Sequence, residues 1–235
     1  MCQKPLAPTL AESQALVDSV GMRVRLMVHE NWRFRPHYRL IRQWLDNGSI
    51  GRVRQALMVI FTSGLVPDAD HHLYAVDRQP FFATLDRLLL MEVMIHHVDT
   101  LRFLLGPLAL DSVRLGHSCA GVRGEDRATL MLSSPGGAAV VLAGDFVAHG
   151  YSNAQFDRLE LLGEKGSIRL TGKTVELAGA ESKKIELNLE ANYKASYRDA
   201  IAHFLDCLAS GAAFETSPAD NLETLKIIEA GYGGA

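Results

Sequence analysis

The sequence has few of the residues that build disulfide frameworks and cysteine metal sites. Its 235 residues include three cysteines, Cys2, Cys119 and Cys207, which lie far apart, and no C-x-x-C pair occurs. An odd number of widely spaced cysteines argues against a disulfide scaffold or a cysteine zinc site and is typical of a reducing compartment. The N-terminus, "MCQKPLAPTL", lacks the apolar stretch of a signal peptide. These absences predict a cytoplasmic protein.

Long apolar runs and an excess of positive charge are also missing. No apolar run reaches the roughly 18 residues that a membrane span needs. The net charge of −3 gives no electrostatic basis for binding nucleic acid. Because 48% of the residues are hydrophobic and 22% are charged, the composition is that of a globular chain with a core. The sequence therefore predicts neither a membrane partner nor a nucleic-acid partner.

Several catalytic motifs are absent as well. The one G-x-G, at residues 231–233, lies where no helix can follow it, so it is not a dinucleotide-binding fingerprint. The segment "GSIRLTGKT" has its glycines one residue too far apart for a phosphate-binding loop. Neither G-x-S-x-G nor H-E-x-x-H occurs, which leaves no anchor for a serine hydrolase or a zinc protease.

The first part of the chain alternates helices with strands. Thr9 and Glu12 form a capping box for a first helix, which Gly21 ends. The apolar pattern then predicts a strand at 24–28, a helix at 36–47, a strand at 53–62 and a polar loop at 63–86. Long loops of this kind are often lids or binding segments.

Residues 108–189 consist of short runs in which apolar and polar residues alternate, separated by turns such as Pro135-Gly136-Gly137. This pattern predicts an antiparallel meander with one face packed on helices and the other face open. A broad open face of this kind is a natural surface for oligomer formation. The fold class is therefore α/β (α+β), with a large, open, mainly antiparallel sheet and helices on one face.

Two helices are predicted to close the chain. One carries four apolar residues on one side, and the next begins with Ser217 as its N-cap and Pro218 at its first position. The four apolar residues are Ile201, Phe204, Leu205 and Leu208.

The segment "LLLMEVMIHHVDTLRFLLG", residues 88–106, carries polar groups in an apolar helix. At about 100° per residue, Glu92, His96 and Asp99 share one narrow face, whereas His97 lies on the apolar side and is expected to hydrogen-bond in the core. Carboxylates beside His96 would raise its pKa and orient its ring, as a proton shuttle requires.

Two other interpretations of that face stay open. It is either a solvated face with helix-stabilising pairs or a divalent metal site, because Glu92 and His96 have the spacing of two converging ligands. His71, His72 or His149 would complete such a metal site. The arginine-rich run between Arg23 and Arg42 also has two interpretations. Its arginines either lie on solvated faces or contact an anion, such as a cofactor phosphate or a substrate carboxylate.

Four segments together resemble one family. "CQKPLAPTLAESQALV" resembles the E-K-P segment of the Gfo/Idh/MocA oxidoreductases, and "ENWRFRPHYRLIRQWLDNGSIGRV" the segment that follows it. "MEVMIHHVDTLRFLLG" is similar to the family's D-x-G-x-H-x-x-D helix, and "AIAHFLDCLASGAAFETSPADNLETLKIIEAGY" to its closing helices. The resemblance covers essentially the whole chain, although Gln3, Glu92 and Met94 depart from the family motifs.

The resemblance implies an oxidoreductase that moves a hydride between NAD or NADP and a sugar, polyol or related hydroxy compound. It implies that residues 1–30 are a remnant of the dinucleotide-binding Rossmann domain and that residues 31–235 are the C-terminal domain for substrate binding and oligomerisation. It also implies a homodimer or homotetramer formed through the open face of the sheet. The glycine-rich part of the Rossmann domain is missing, so either an upstream segment precedes this sequence or the chain lacks a dinucleotide domain of its own.

The resemblance also assigns roles to residues. It makes His96 the general base or acid, with Glu92 and Asp99 as acidic neighbours. It places Lys4 and Pro5 beside the nicotinamide, and it gives Lys4 a catalytic role as well, the polarisation of the substrate oxygen. The expected substrate-binding residues are Asn31, Arg33, His71, His72 and His149. Two alternatives remain: a cofactor-independent or metal-assisted lyase or hydrolase on the same scaffold, and a sugar-binding or oligomer-forming remnant without catalysis.

Overall fold

A computed structural model describes residues 1–21, 23–154 and 156–233. A mainly antiparallel eight-stranded sheet forms its body, and a two-stranded parallel sheet lies at the N-terminal end. Burial alternates along the strands of the large sheet, as in Arg127–Ser133, so one face is covered and the other is open. This architecture confirms the predicted fold class.

The elements follow one another closely along the chain. The helices are α1 (Leu10–Val20), α2 (Pro36–Asp46), α3 (Tyr74–Arg78), α4 (Ile95–Leu105), α5 (Leu189–Ser210) and α6 (Pro218–Gly233), with 3-10 turns at Trp32–Phe34 and Pro80–Thr84 and a π-helical turn at Leu89–Met94. The strands are β1 (Cys2–Gln3), β2 (Val28–His29), β3 (Val53–Phe61), β4 (Ala109–Gly116), β5 (Arg127–Ser133), β6 (Ala139–Asp145), β7 (Asp157–Gly163), β8 (Ser167–Thr171), β9 (Thr174–Ala178) and β10 (Lys183–Glu186).

The large sheet is not a simple meander. Its strand order is β10-β9-β8-β7-β3-β6-β5-β4, so β3 lies between the two halves and runs parallel to β6. The prediction of one continuous meander over residues 108–189 was therefore wrong. Three consecutive residues of β3, Met58, Val59 and Ile60, are buried, which is the pattern of a central strand covered on both faces.

Helix ends follow the sequence signals. The Thr9 hydroxyl oxygen accepts a hydrogen bond from the backbone N–H of Glu12 at 3.2 Å, and Gly21 ends α1 with φ of 52°, a backbone conformation that favours glycine. The Ser217 hydroxyl accepts from the N–H of Asp220 at 3.2 Å. The capping predictions for α1 and α6 are therefore confirmed.

Three local predictions need correction. The strand expected at 24–28 is only the two-residue β2, which pairs with β1. The loop expected at 63–86 contains α3 and a 3-10 turn. Of the four apolar residues expected on one side of α5, Ile201, Leu205 and Leu208 are exposed, whereas Phe204 stacks on Phe214. The buried side of α5 carries small residues, including Ser196 and Ala200. None of the described helices combines the length and apolarity needed to cross a membrane.

A buried carboxylate, that of Glu125, caps the start of the π-helical turn. Glu125 accepts hydrogen bonds from the N–H groups of Leu88 and Leu90 at 3.2 and 2.8 Å, so it satisfies donors that a helix start leaves free. On the sheet below, a Cβ at Gly144 would lie 2.7 Å from the Met94 sulfur. The turn is therefore fixed at its start and packed directly on β6.

A second buried carboxylate, Asp157 at the start of β7, ties three elements together. Its oxygens accept hydrogen bonds from four donors, all within 3.1 Å: Trp32 Nε1, Tyr38 Oη, His97 Nε2 and Arg35 Nη1. Burial alone would raise the pKa of Asp157, but the charges and hydrogen bonds of these neighbours hold it far below its ordinary value. His97 is fully buried in this network, which confirms that it faces the core.

We expect Asp157→Asn to lower the free energy of unfolding by about 3 kcal/mol at neutral pH, because it leaves buried donors without their charged acceptor. Urea denaturation measures this. The difference from wild type should shrink as the pH falls below about 3.9, the pKa of an unfolded aspartate. The stabilisation from a depressed folded pKa is complete only above that value and is lost as the pH falls toward the folded pKa. Glu160→Gln, on the same strand, is the control and should cost less than about 0.5 kcal/mol. Equal losses for the two variants would contradict the assigned role.

Candidate active site

A cavity of about 200 Å³ opens where β1, the segment after β2, the π-helical turn and α5 meet. The N-terminal strand and the segment after β2 supply one wall, and the helices supply the other. Its lining includes Gln3, Lys4, Asn31, Trp32, Thr62, Arg78, Glu92, His96, Tyr193 and Tyr197. The cavity thus brings together the lysine and the histidine that the sequence pointed to.

His96 is held by a carboxylate from another element. Its Nδ1 lies 2.7 and 2.8 Å from the two oxygens of Glu30, and its ring stacks on Trp32 with centroids 4.3 Å apart and planes 14° from parallel. Because Nδ1 donates its hydrogen to Glu30, the other ring nitrogen, Nε2, is the one left for the cavity. The imidazole therefore presents a lone pair to any bound molecule.

The charges of this pair follow from burial and from its neighbours. Burial would raise the pKa of Glu30, but His96, the N–H of Trp32 and the ammonium of Lys4 outweigh burial and hold the pKa below its ordinary value. Burial lowers the pKa of His96, and Lys4 adds to that effect, so together they outweigh the attraction of Glu30. A neutral imidazole beside an ionised carboxylate is the state suited to a general base near neutral pH.

Lys4 is positioned by the π-helical turn. Its ammonium donates to the backbone carbonyl of Glu92 at 2.6 Å and to the Glu92 carboxylate at 2.8 Å. The lysine side chain is 9% exposed and the glutamate 22% exposed, so the pair is partly desolvated. A cation fixed in this way is placed to interact with a negatively charged oxygen in the cavity.

Asp99 is not beside His96, which corrects the expected arrangement of acids around the imidazole. Its carboxylate is 1% exposed and forms a two-point ion pair with Arg33. Arg33 also donates to Asp220 at 2.7 Å and is itself buried. Both side chains are thus occupied with each other, away from the cavity, because a buried charge requires a partner. Neither Arg33 nor Asp99 lines the cavity.

The remaining expected residues divide between the cavity and the surface. Asn31 lines the cavity and donates to Ser196 Oγ at 2.8 Å. Pro5, His71, His72 and His149 are not among the cavity-lining residues. His71 and His72 are exposed, and His72 faces Asp77 at 3.2 Å.

The structure does not support a metal at Glu92 and His96. Their charged partners are Lys4 and Glu30. Within residues 1–21, 23–154 and 156–233, no three histidine, cysteine, aspartate or glutamate side chains come together as a metal site.

Sequence reasoning missed the residue that holds the imidazole. Glu30 lies 66 positions from His96, so no helical or strand periodicity links them. One signal was present: Glu30 follows the apolar residues Met27 and Val28 in a segment otherwise rich in arginine, and an acid in a buried strand requires a partner. Trp32, Tyr193 and Tyr197 were also missed, and no pattern in the sequence marks them.

Comparison with curated proteins finds relatives that are named as dehydrogenases. The chain is 29% identical over 248 residues to a D-apiose dehydrogenase of Rhizobium rhizogenes, covering 100% of this chain and 69% of the relative. It is 25% identical over 247 residues to an inositol 2-dehydrogenase of Rhizobium meliloti, covering 97% and 68%. The chain thus spans about two thirds of the length of the curated relatives it matches.

Solved structures share the fold. An oxidoreductase from Agrobacterium radiobacter, in complex with NAD+, L-tartaric acid and magnesium, superposes with a TM-score of 0.89 at 27% identity, covering 100% of this chain and 70% of the other. A levoglucosan dehydrogenase in complex with NADH and levoglucosan gives a TM-score of 0.84 at 20% identity, covering 100% and 71%, a likeness of fold. Residues 38–169 match the profile of the GFO/IDH/MocA C-terminal domain. The chain therefore belongs to the Gfo/Idh/MocA family.

Proposed function

We propose that this protein is a nicotinamide-dependent oxidoreductase that acts on a sugar, a polyol or a related hydroxy compound, with His96 as the general base. The observation that carries the proposal is the imidazole anchored by buried Glu30 and open to a cavity that also contains Lys4. The names of the relatives, dehydrogenases of apiose and inositol, support it and favour it over a lyase or hydrolase on the same scaffold.

The reaction follows from the two groups in the cavity. A substrate hydroxyl donates its proton to His96 Nε2 while the C–O bond becomes a carbonyl. The Lys4 ammonium stabilises the negative charge that develops on that oxygen, and the Glu92 carboxylate holds the lysine in place. Bound NAD(P)+ supplies the acceptor for the hydride that leaves the same carbon.

This chain's residues fit one end of the cofactor. Lys4 and Gln3 line the cavity at the end of β1, where the nicotinamide would face His96, whereas the sequence contains no glycine-rich turn for the phosphates. We therefore propose that residues 1–30 belong to a dinucleotide-binding domain and that residues 31–235 form the substrate domain.

We also propose that the protein forms oligomers and that it is located in the cytoplasm. The open face of the sheet carries exposed apolar side chains, such as Met131 and Leu162, and would join two or four copies. Cys2, Cys119 and Cys207 are free thiols, which suits a protein of the cytoplasm.

We expect His96→Asn to lower kcat for oxidation of myo-inositol or D-apiose by NAD+ about 10²- to 10⁴-fold, because the hydroxyl proton loses its acceptor. NADH formation by the purified protein measures this. Energy transfer from tryptophan to bound NADH, unchanged in the variant, shows that the cofactor still binds. His117→Gln, at a residue that does not line the cavity, is the control and should retain full activity. Retained activity in His96→Asn would overturn the proposal.

We expect Glu30→Gln to lower the pKa of His96 further, because the carboxylate is the main group that raises it. An NMR titration of the His96 ring measures the shift directly and needs no cofactor. The acidic limb of kcat/KM against pH, which reports the neutral imidazole, should move in the same direction, to lower pH. Glu92→Gln is the matched comparison and should leave the His96 pKa closer to that of wild type. A rise in the His96 pKa in Glu30→Gln would contradict the assigned pairing.

A further inference from the structure

A second cavity adjoins the first. It measures about 550 Å³ and lies between the start of α5, the start of α2 and strands β7 and β8. Trp32, Arg78 and Tyr193 line both cavities. The first cavity, at about 200 Å³, is smaller than the roughly 300–1,000 Å³ of typical ligand pockets, whereas the second lies inside that range. A molecule that reaches His96 can therefore extend past Trp32 into the second cavity.

One cation that lines both cavities has no acidic partner in the part of the chain that the structure describes. Arg78, on α3, is exposed and has no acidic partner among the described residues, whereas every other ionised side chain of the lining is paired. The pairs are Lys4 with Glu92 at 2.8 Å, Arg35 with Asp157 at 3.1 Å and Glu190 with Lys194 at 2.6 Å. The shared wall therefore carries a guanidinium, that of Arg78, with which no carboxylate of the described residues forms an ion pair.

Arg35 adds hydrogen-bond donors to the same wall. Its guanidinium lies over the Trp32 ring, 3.4 Å from the centroid, and only Nη1 is hydrogen-bonded within the described part of the chain. Its acceptor, Asp157, already serves three other donors. Burial is the main cause that lowers the pKa of nearby His37 to about 4, and the charge of Arg35 adds to it.

We propose that the second cavity is a subsite for an anionic group of the substrate, with Arg78 as its main ligand and Arg35 as the second. Guanidinium groups bind carboxylate and phosphate oxygens through paired N–H donors. The substrate class is thus an acidic sugar derivative, a uronate or a sugar phosphate, whose hydroxyl faces His96. This inference rests on the proposed function, because it assigns the same bound molecule to both cavities.

Isothermal titration calorimetry on the purified protein tests the subsite with D-glucuronate, D-glucose and inorganic phosphate. We expect D-glucuronate to bind about tenfold more tightly than D-glucose, because one charge-assisted hydrogen bond contributes a difference of this size. This preference should weaken when salt is added. In Arg78→Gln the ratio should fall to about one, and Arg78→Lys should restore part of it. Arg114→Gln, an exposed arginine on β4 that lines neither cavity, should keep the full ratio.

Competition with inorganic phosphate shows which class of anion the subsite accepts. Displacement of D-glucuronate by inorganic phosphate supports a subsite that accepts both anions, and failure to displace it supports one selective for carboxylates. Equal affinities for the two sugars in wild type, or equal ratios in Arg78→Gln and Arg114→Gln, overturn the inference, as does the absence of binding by either sugar. If the protein binds D-glucuronate more tightly than D-glucose but forms no NADH, the subsite is supported and the proposed reaction is refuted. If the protein oxidises the sugars but binds both equally well, the subsite alone is refuted.

Discussion

Two buried carboxylates hold two adjacent histidines in opposite roles. Glu30 accepts from Nδ1 of His96, and Asp157 accepts from Nε2 of His97. A buried carboxylate is costly unless its oxygens are fully hydrogen-bonded, so each acid constrains every element that supplies its donors. The segment between β2 and α2, which contributes to both networks, is thereby fixed against α4 and the sheet.

This constraint explains why one histidine can act on a ligand and its neighbour cannot. Both ring nitrogens of His97 face protein acceptors, the carbonyl of Val93 and Asp157, and the ring is fully buried. His96 uses one nitrogen for Glu30, and its stacking on Trp32 fixes the ring plane. The same tryptophan carries Arg35 over its ring, so it links the base to the proposed anion subsite.

The sequence predicted what depends on local signals. The capping residue of α1, the end of that helix and the opposite orientations of the adjacent histidines follow from spacing within one turn or two. The partner of His96 was not predictable, because Glu30 comes from another element. The prediction that Asp99 lies beside His96 was wrong. Helical angles assign a side chain to a face of the helix, but they do not reveal that the buried Arg33 forms an ion pair with Asp99. The place of β3 depends on non-local pairing, which alternation within residues 108–189 cannot show.

The role of His96 as general base depends on which of its ring nitrogens carries the proton. Ring-nitrogen NMR on the uncomplexed protein at neutral pH measures this directly, with His96→Asn to assign the signal. We expect a neutral ring with hydrogen on Nδ1, directed at Glu30, and an unprotonated Nε2. A ring protonated on Nε2 at that pH, as the other tautomer or as imidazolium, would contradict the proposed role of His96 as the general base.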